Sequence, residues 1–231
     1  EPQDIIDEWI RNSKQRGSFV DIGGIGELAI NERCTWAVRC GFNRVCMADL
    51  ADDGHHLWKH YKETIDPELA RSIEMRSSIN IDSPEAMASL GEWDLVYSTG
   101  ILYHCPNPIA SILNYKSVTR HELILNTVIL PEEIKTANGS LSISEPSALF
   151  MPALSGRPRE IVATYYEEKF GWSLDDIAPL QEFGKDNSLP YVQKSGSLSY
   201  NPYWWLFTKK SFEEAVKLLN MAIIDTYTWQ D

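Results

Sequence analysis

Short apolar runs alternate with segments of helical periodicity through the first half of the chain. The runs that predict strands are Ser18–Ile22, Arg44–Ala48, 78–81, 93–98 and the stretch HELILNTVI at 121–129. The segments that predict helices are 5–10, 32–40, 53–63, the stretch that follows the Ser83-Pro84 cap, and 108–117. Because strands separated by helices favour parallel pairing with right-handed crossovers, the pattern predicts an α/β fold.

The alternation stops after Leu130, where Pro, Gly, Ser and aromatic residues mix without a clear period. We interpret 131–205 as an irregular insertion that forms a substrate lid, with one short helix near 160–168. The stretch SFEE at 211–214 is a capping-box pattern that predicts a helix, and MAIIDTYTW at 221–229 predicts a final strand. The predicted organisation is a core at 1–130, the lid, and a helix and strand at 206–231 that return to the core sheet.

Composition is that of a globular protein with a core, since 43% of the 231 residues are apolar and 23% are charged. No apolar run approaches the ~20 residues of a membrane-spanning helix, and the first residues lack the basic and then apolar order of a signal peptide. We therefore expect no membrane association and a cytoplasmic location. The 21 basic and 33 acidic residues give a net charge of −12, which disfavours nucleic acid as a partner.

Cysteine and histidine spacing does not predict a metal site. The four cysteines have no Cys-x-x-Cys spacing, so reduced thiols are expected rather than zinc ligands or disulfides. His56 and His60 are four positions apart on a predicted helix, but no third ligand accompanies them.

The glycine-rich stretch FVDIGGIGEL at 19–28 is the first candidate binding element. Gly24, Gly26 and Ala29 formally match the dinucleotide fingerprint, but Asp21 ends the first strand, where a carboxylate would repel a pyrophosphate. A cationic, phosphate-free nucleoside suits that position better. S-adenosylmethionine has this chemistry, because it carries a sulfonium and an ammonium group and no phosphate.

Three more candidate elements follow the later strands. Asp49 ends the second strand, where a carboxylate can accept the hydrogens of both ribose hydroxyls. Ile81 and Asp82 follow the third predicted strand and together could cover an adenine face and accept its exocyclic amine. The segment WDLVYSTGILYHCPNP at 93–108 is a strand that runs into a glycine turn and a Tyr-His pair. In a doubly wound sheet all these positions lie at the ligand-binding edge.

On these motifs the chain resembles the class I S-adenosylmethionine-dependent methyltransferases, over roughly half its length. The resemblance implies a doubly wound, mostly parallel, seven-stranded Rossmann-like sheet, with one antiparallel strand. It also implies S-adenosylmethionine as the cofactor. The cofactor-binding residues expected on this basis are Asp21, Gly23, Gly24, Gly26, Asp49, Leu50, Ile81, Asp82, Ser98, Thr99 and Gly100.

The chain departs from the family pattern in two places. The family usually spaces its glycines Asp-x-Gly-x-Gly-x-Gly, whereas Glu27 occupies the last of these glycine positions here. The interval from Asp21 to Asp49 is also longer than is typical.

The predicted activity is methyl transfer to an O or N atom of a small molecule, and the sequence leaves the acceptor and the oligomeric state open. Tyr103 and His104 are the candidate catalytic pair, because an oxygen acceptor must lose its proton. Aromatic residues of the insertion are expected to bind the acceptor, namely Tyr200, Trp204 and Trp205.

Three alternative functions remain open at this point. The stretch from Gly100 to His104 also resembles bacterial enzymes that modify wobble uridine in transfer RNA. The formal dinucleotide fingerprint allows an NAD(P)-dependent oxidoreductase. The irregular glycine spacing allows a methyltransferase-like binding protein without catalysis.

Overall fold

A computed structural model describes residues 2–25, 32–171 and 204–228. The chain divides into two compact units. The first, which we call the sheet unit, comprises Glu1–Ile101, Ile109–Thr127 and Tyr227–Asp231. The second unit comprises Leu102–Pro108 and Val128–Thr226.

The sheet unit alternates helices and strands, as the sequence predicts. Its elements in chain order are α1 (Pro2–Asn12), β1 (Ser18–Ile22), α2 (Cys34–Arg39), β2 (Arg44–Ala48), α3 (His56–Thr64), α4 (Pro67–Ala70), β3 (Ile73–Arg76), α5 (Pro84–Ala88), β4 (Trp93–Thr99), α6 (Pro108–Val118) and β5 (Thr119–Asn126).

The five strands form one parallel sheet in the order β3-β2-β1-β4-β5. This confirms a mostly parallel α/β sheet of the Rossmann-like type. Among the described residues the central sheet has five strands, and the sixth and seventh strands implied by the resemblance are not part of it.

Burial explains why the central strands are continuous apolar runs. Every residue of β1 and β4 is buried, as expected for parallel strands covered on both faces. Phe19 stacks on Tyr97 across the two strands, with ring centroids 6.3 Å apart. β5 lies at the edge of the described sheet and is half-exposed, and it spans Thr119–Asn126 where the sequence pattern predicts a strand at 121–129.

The third strand lies earlier in the chain than predicted. Residues 78–81 form a turn after β3, and Ser78 has a left-handed backbone with φ of 58° that interrupts any strand. Ile79 and Ile81 are buried in this turn, which is why their apolar pattern resembled a strand.

The second unit contains more regular structure than the irregular lid predicted from the sequence. Its elements are a 3-10 turn (Leu102–His104), β6 (Ile129–Leu130), β7 (Glu133–Thr136), β8 (Gly139–Ser142), β9 (Ala148–Phe150), a second 3-10 turn (Met151–Ala153), α7 (Gly156–Phe170), β10 (Trp205–Thr208) and α8 (Lys209–Leu218). β6, β10 and β9 form one small sheet, and β7 pairs with β8 in a hairpin.

A hydrophobic core of its own stabilises the second unit. The buried cluster is Leu130, Ile134, Ile143, Met151, Ile161, Val162, Tyr166 and Leu206, with Tyr103 packed against it. The short helix predicted near 160–168 is the centre of the fifteen-residue helix α7. A role for the second unit as a substrate lid stays a prediction.

Two predictions for the last part of the chain are wrong. α8 begins at Lys209, and Thr208 occupies the N-cap position. Ser211 therefore lies inside the helix and does not cap it. The Thr208 hydroxyl makes no capping hydrogen bond either, because it bonds to the Ser147 backbone. Residues 221–228 are not a strand, and most of their side chains are exposed.

No helix in the described parts of the chain is long and apolar enough to cross a membrane.

Candidate functional site

The carboxyl ends of β1, β2 and β4 bring most of the predicted cofactor residues to one edge of the sheet unit. Ile22 is in register with Ala48 of β2 and with Ser98 of β4. From the end of β1 the chain crosses to β2 on one side of β1, whereas β4 pairs with β1 on its other side. This is the topological switch point at which open α/β sheets bind ligands.

Asp21 is completely buried in β1. Its Oδ2 atom accepts a hydrogen bond of 2.8 Å from the backbone N–H of Arg33, whereas its buried Oδ1 atom has no hydrogen-bond partner. Burial raises the pKa of this carboxyl well above its usual range, and the nearby charge of Glu32 raises it further. A buried carboxylate oxygen without a partner is costly, and an incoming donor or cation would relieve that cost.

The two glycines after β1 leave no room for a side chain. Gly23 has φ of 87° and donates a 2.8 Å hydrogen bond to the carbonyl of Ala48. A Cβ atom at Gly23 would lie 1.8 Å from Cδ1 of Ile101, and one at Gly24 would lie 2.6 Å from Oδ2 of Asp21. The turn therefore keeps backbone close to the Asp21 carboxylate. Gly26, the third predicted glycine, lies outside the described residues.

Asp49 follows β2 and is 3% exposed. Its Oδ1 accepts a hydrogen bond of 2.9 Å from the backbone N–H of Ala51. Burial raises the pKa of Asp49 to about 7, although backbone hydrogen bonds from Ala51, Ile25 and Leu50 act in the opposite direction. Leu50 itself is half-buried. The charge of Asp49 also acts to raise the pKa of Asp21.

Ile81 and Asp82 are anchored by α6. The Ser111 hydroxyl donates a 2.5 Å hydrogen bond to Oδ1 of Asp82, and Nδ2 of Asn114 donates to the carbonyl of Ile81 at 2.8 Å. Ser111 and Asn114 are not among the residues predicted from the sequence. Their spacing of three places both polar side chains on one face of α6, and that is the signal that the sequence offers.

Hydrogen bonds join the end of β4 to β1 on one side and to β5 on the other. The Ser98 hydroxyl donates to the carbonyl of Ile22 at 3.0 Å and lies 2.8 Å from the Tyr115 hydroxyl. Thr99 is buried, and Gly100 turns the chain with φ of 71° while its N–H donates to the carbonyl of Asn126. Ser98 is thus held within the sheet unit, while Thr99 and Gly100 lie at its carboxyl edge.

The predicted catalytic and acceptor residues belong to the second unit. Tyr103 and His104 lie on the first 3-10 turn with ring centroids 4.3 Å apart. The backbone N–H of Trp204 donates to the Tyr103 carbonyl at 2.8 Å, and the Trp205 indole donates to the Pro106 carbonyl at 3.0 Å. The structure therefore brings these four residues together, whereas Tyr200 lies outside the described residues.

Glu32 is a further residue near Asp21 that the sequence analysis did not single out. Its carboxylate accepts hydrogen bonds from the backbone N–H and the hydroxyl of Thr35, each 2.7 Å long. The Tyr61 hydroxyl reaches the same carboxylate at 3.4 Å.

Comparison with known proteins shows similarity in structure alone. No protein-family model matches the chain, and no curated protein matches it. The N-terminal domain of EvdMO1 with SAH (S-adenosylhomocysteine) bound is 13% identical, with a TM-score of 0.51 over 95% of this chain and 71% of that chain. The same domain in the presence of SAH and D-fucose is 12% identical, with a TM-score of 0.52 over 95% of this chain and 72% of that chain.

A second match covers only part of the fold. It is an S-adenosylmethionine-dependent methyltransferase from Mesorhizobium loti, 17% identical, with a TM-score of 0.36 over 52% of this chain and 49% of that chain. The chain thus spans about half the length of that enzyme. The two matches to the EvdMO1 domain, which cover 95% of this chain, confirm the class I methyltransferase fold.

Proposed function

We propose that this chain is an S-adenosylmethionine-dependent methyltransferase that modifies an O or N atom of a small molecule. The observation that carries the proposal is the unpartnered Oδ1 of Asp21, a fully buried carboxylate oxygen beside the Gly23-Gly24 turn. The fold found by structural comparison supports the same activity.

The residues at the carboxyl edge fit the chemistry of this cofactor. A pyrophosphate would oppose ionisation of the buried carboxyl groups of Asp21 and Asp49, whereas an ammonium or sulfonium group favours their ionised form and is attracted by it. Asp21 would hold the methionine end, with the backbone of Gly23 and Gly24 beside it. Gly26 is also proposed to bind the cofactor. Asp49 and Leu50 would hold the ribose.

The adenine would be held by the turn after β3. Ile81 would cover one face of the ring, and Asp82 would accept from its exocyclic amine. Ser111 and Asn114 would keep that turn in position through the hydrogen bonds they donate. Thr99 and Gly100 would line the methyl-transfer edge, and Ser98 would fix the strand that carries them.

S-adenosylmethionine supplies an activated methyl group that is displaced in line by the acceptor, and the protein must orient the acceptor lone pair. For an oxygen acceptor we propose that His104, with Tyr103 beside it, takes up the proton. A nitrogen acceptor with a neutral lone pair does not need this step. Tyr200, Trp204 and Trp205 are proposed to bind the acceptor.

A small-molecule acceptor is favoured over transfer RNA because the net charge of −12 opposes binding to a phosphate backbone. The EvdMO1 domain was crystallised in the presence of D-fucose, which makes sugars a sensible class to include among the acceptors tested. An oxidoreductase is disfavoured by the position of Asp21, as argued above.

Titration calorimetry tests the cofactor assignment by measuring the binding of S-adenosylhomocysteine and, in a separate titration, of NADH. We expect saturable binding of S-adenosylhomocysteine and no heat from NADH. Binding of NADH alone, or no binding of S-adenosylhomocysteine at millimolar concentration, would overturn the proposal.

Transfer of labelled methyl groups to a panel of sugars, phenols and amines tests the acceptor and the base. With an oxygen acceptor, His104→Ala should lower the rate by about 10²-fold, whereas turnover of a nitrogen acceptor should persist. His60→Ala is the matched control, because His60 is an exposed histidine on α3. Full activity of His104→Ala on an oxygen acceptor would remove the base assignment.

A further inference from the structure

We propose that Phe150, Trp204 and Trp205 form an aromatic platform in the second unit, on which the methyl acceptor stacks a planar ring, and that the acceptor atom is the hydroxyl oxygen of a phenol. This inference rests on the proposed function, because the stacked ring is that of the methyl acceptor. It adds Phe150 to the acceptor site and names the class of substrate.

The pairing of β9 with β10 gives the small sheet two different faces. Phe150 is in register with Trp205, and Leu149 is in register with Leu206. Because paired residues share a face and successive residues alternate, the two leucines lie on one face and the two aromatic residues on the other. Leu206 belongs to the buried core of the second unit, and Leu149 packs against that core. Phe150 and Trp205 therefore lie on the face that is turned away from the core.

One end of this outer face is covered by α8, whereas the other end is open. Phe207 of β10 is 8% exposed, and its ring centroid lies 6.2 Å from that of Phe212 of α8. At the opposite end Phe150 is 38% exposed and Trp205 is only half-buried. Adjoining apolar side chains that stay partly exposed are typical of a binding surface, unlike apolar side chains that are scattered singly.

The three rings of the platform contact one another with shallow angles between their planes. The Phe150 ring centroid lies 4.8 Å from that of Trp205 and 6.2 Å from that of Trp204. The corresponding interplanar angles are 36° and 27°. A flat ring that is laid on these faces can adopt the offset-stacked arrangement that aromatic pairs prefer.

Hydrogen bonds fix the platform to the segment that contains the proposed base. The backbone N–H of Trp204 donates to the Tyr103 carbonyl at 2.8 Å, and the Trp205 indole donates to the Pro106 carbonyl at 3.0 Å. His104 lies between these two carbonyl groups along the chain. A ring held by the platform is therefore held beside the turn that carries His104.

A phenol fits this surface better than a sugar does. Because the indole N–H of Trp205 is used by the Pro106 carbonyl, this side chain offers a ring face and no donor for a sugar hydroxyl. The chemistry of the base points the same way. The pKa of a phenol, about 10 in tyrosine, is much closer to the ordinary histidine value of about 6.5 than is that of water, about 15.7, which an aliphatic hydroxyl resembles. A histidine therefore removes the proton of a phenol more readily.

Calorimetric titration with 2-naphthol and with decahydro-2-naphthol, which has the same carbon skeleton but saturated rings, tests the platform. Each titration is performed with S-adenosylhomocysteine at saturation and again without it. We expect 2-naphthol to bind about three- to tenfold more tightly than the saturated alcohol. Methyl β-glucoside and tetramethylammonium are the probes for a sugar and for a cation, and tighter binding of either than of 2-naphthol would overturn the phenol assignment.

Substitutions at Phe150 test whether the preference comes from its ring. Phe150→Leu keeps an apolar side chain, and it should lower the affinity for 2-naphthol about three- to tenfold and remove most of the preference over the saturated alcohol. Phe150→Tyr keeps the ring and should retain the preference. Phe212→Leu, at the covered end of the same face, is the matched control and should also retain it. An undiminished preference in Phe150→Leu would overturn the platform.

Steady-state methyl transfer to 2-naphthol distinguishes binding of the ring from removal of the proton. Phe150→Leu should raise KM with little change in kcat, because stacking on the platform holds the substrate and the transition state alike. A lower kcat with an unchanged KM would contradict a binding role for Phe150.

The outcomes separate this inference from the proposed function. Saturable binding of S-adenosylhomocysteine without any preference for 2-naphthol would overturn the platform and leave the cofactor assignment in place. The predicted preference for 2-naphthol without binding of S-adenosylhomocysteine would support the platform as a ring-binding surface, but it would overturn both the proposed function and the role of the ring as a methyl acceptor.

Discussion

The Ser98 hydroxyl donates a 3.0 Å hydrogen bond to the carbonyl of Ile22 and joins the ends of β4 and β1 beside the candidate site. Because that bond uses the single hydroxyl hydrogen of Ser98, the Tyr115 hydroxyl is the donor in the 2.8 Å contact between them. Two strands and α6 are thus linked by one buried side chain.

Ser98→Ala should destabilise the protein by about 1–3 kcal/mol, because the Ile22 carbonyl and the Tyr115 hydroxyl both lose a buried partner. Urea unfolding measures the change. Combining Ser98→Ala with Tyr115→Phe should cost less than the sum of the two single substitutions, because Tyr115→Phe removes one of the groups left without a partner. Additive losses would show that the two hydroxyl groups are not coupled.

Gly23→Ala should lose more stability than Gly41→Ala. Both glycines have left-handed backbones, with φ of 87° and 85°, but a Cβ at Gly41 meets nothing within 4 Å. Gly41→Ala therefore measures the backbone strain alone, about 1 kcal/mol. Gly23→Ala adds the clash with Ile101, and it should also weaken S-adenosylhomocysteine binding. Equal thermal stabilities for the two variants would contradict the tight packing of the first turn.

The stability of the protein should depend on the ionisation of Asp49. Its pKa in the folded protein is about 7 and lies above the value of ~3.9 in an unfolded chain. The folded state therefore binds more protons between these values, and the Asp49 contribution to the free energy of unfolding falls as pH rises through this window.

Asp49→Asn removes that dependence. It should make the protein more stable than wild type at pH 8, by up to about 4 kcal/mol, with little difference at pH 4. Urea unfolding across this pH range measures the effect, and Asp53→Asn, at an exposed position, is the control. A constant difference between wild type and Asp49→Asn at all pH values would contradict the raised pKa.

Leu206→Ala should destabilise the second unit by about 2–5 kcal/mol, because Leu206 is 1% exposed within its hydrophobic core. Leu218→Ala is the matched control: Leu218 is 85% exposed, so its truncation should change stability by less than about 0.5 kcal/mol. Hydrogen exchange of the β10 amides would report the difference. Unchanged protection in Leu206→Ala would contradict an independent core.

The buried parallel strands were predictable from sequence because short, continuous apolar runs are typical of strands that are covered on both faces. β1 and β2 have the bounds that the sequence predicted, and β1 is buried throughout. β3 was misplaced because only Ile73 of its four residues is buried, whereas the turn at 78–81 holds two buried isoleucines. Local apolar pattern does not distinguish a short strand from a buried turn.

Long-range contacts explain what the sequence did not reveal about the candidate site. Asp21 and Asp49 could be placed at strand ends from their position alone. Glu32 could not be recognised, because Tyr61, which bonds to its carboxylate, lies 29 residues away along the chain. For Ser111 the sequence offers only the spacing to Asn114, since its partner Asp82 is also 29 residues away. The β-branched stretch at 221–228 has strand propensity, but among the described residues it has no neighbouring strand to pair with.

A crystal structure of the protein with S-adenosylhomocysteine tests the central claim most directly. The account predicts that the ribose hydroxyl groups lie within about 3 Å of the Asp49 carboxylate and the ammonium within about 3 Å of Oδ1 of Asp21. A nucleoside bound away from the ends of β1 and β2, with neither carboxyl group in contact with it, would contradict the account.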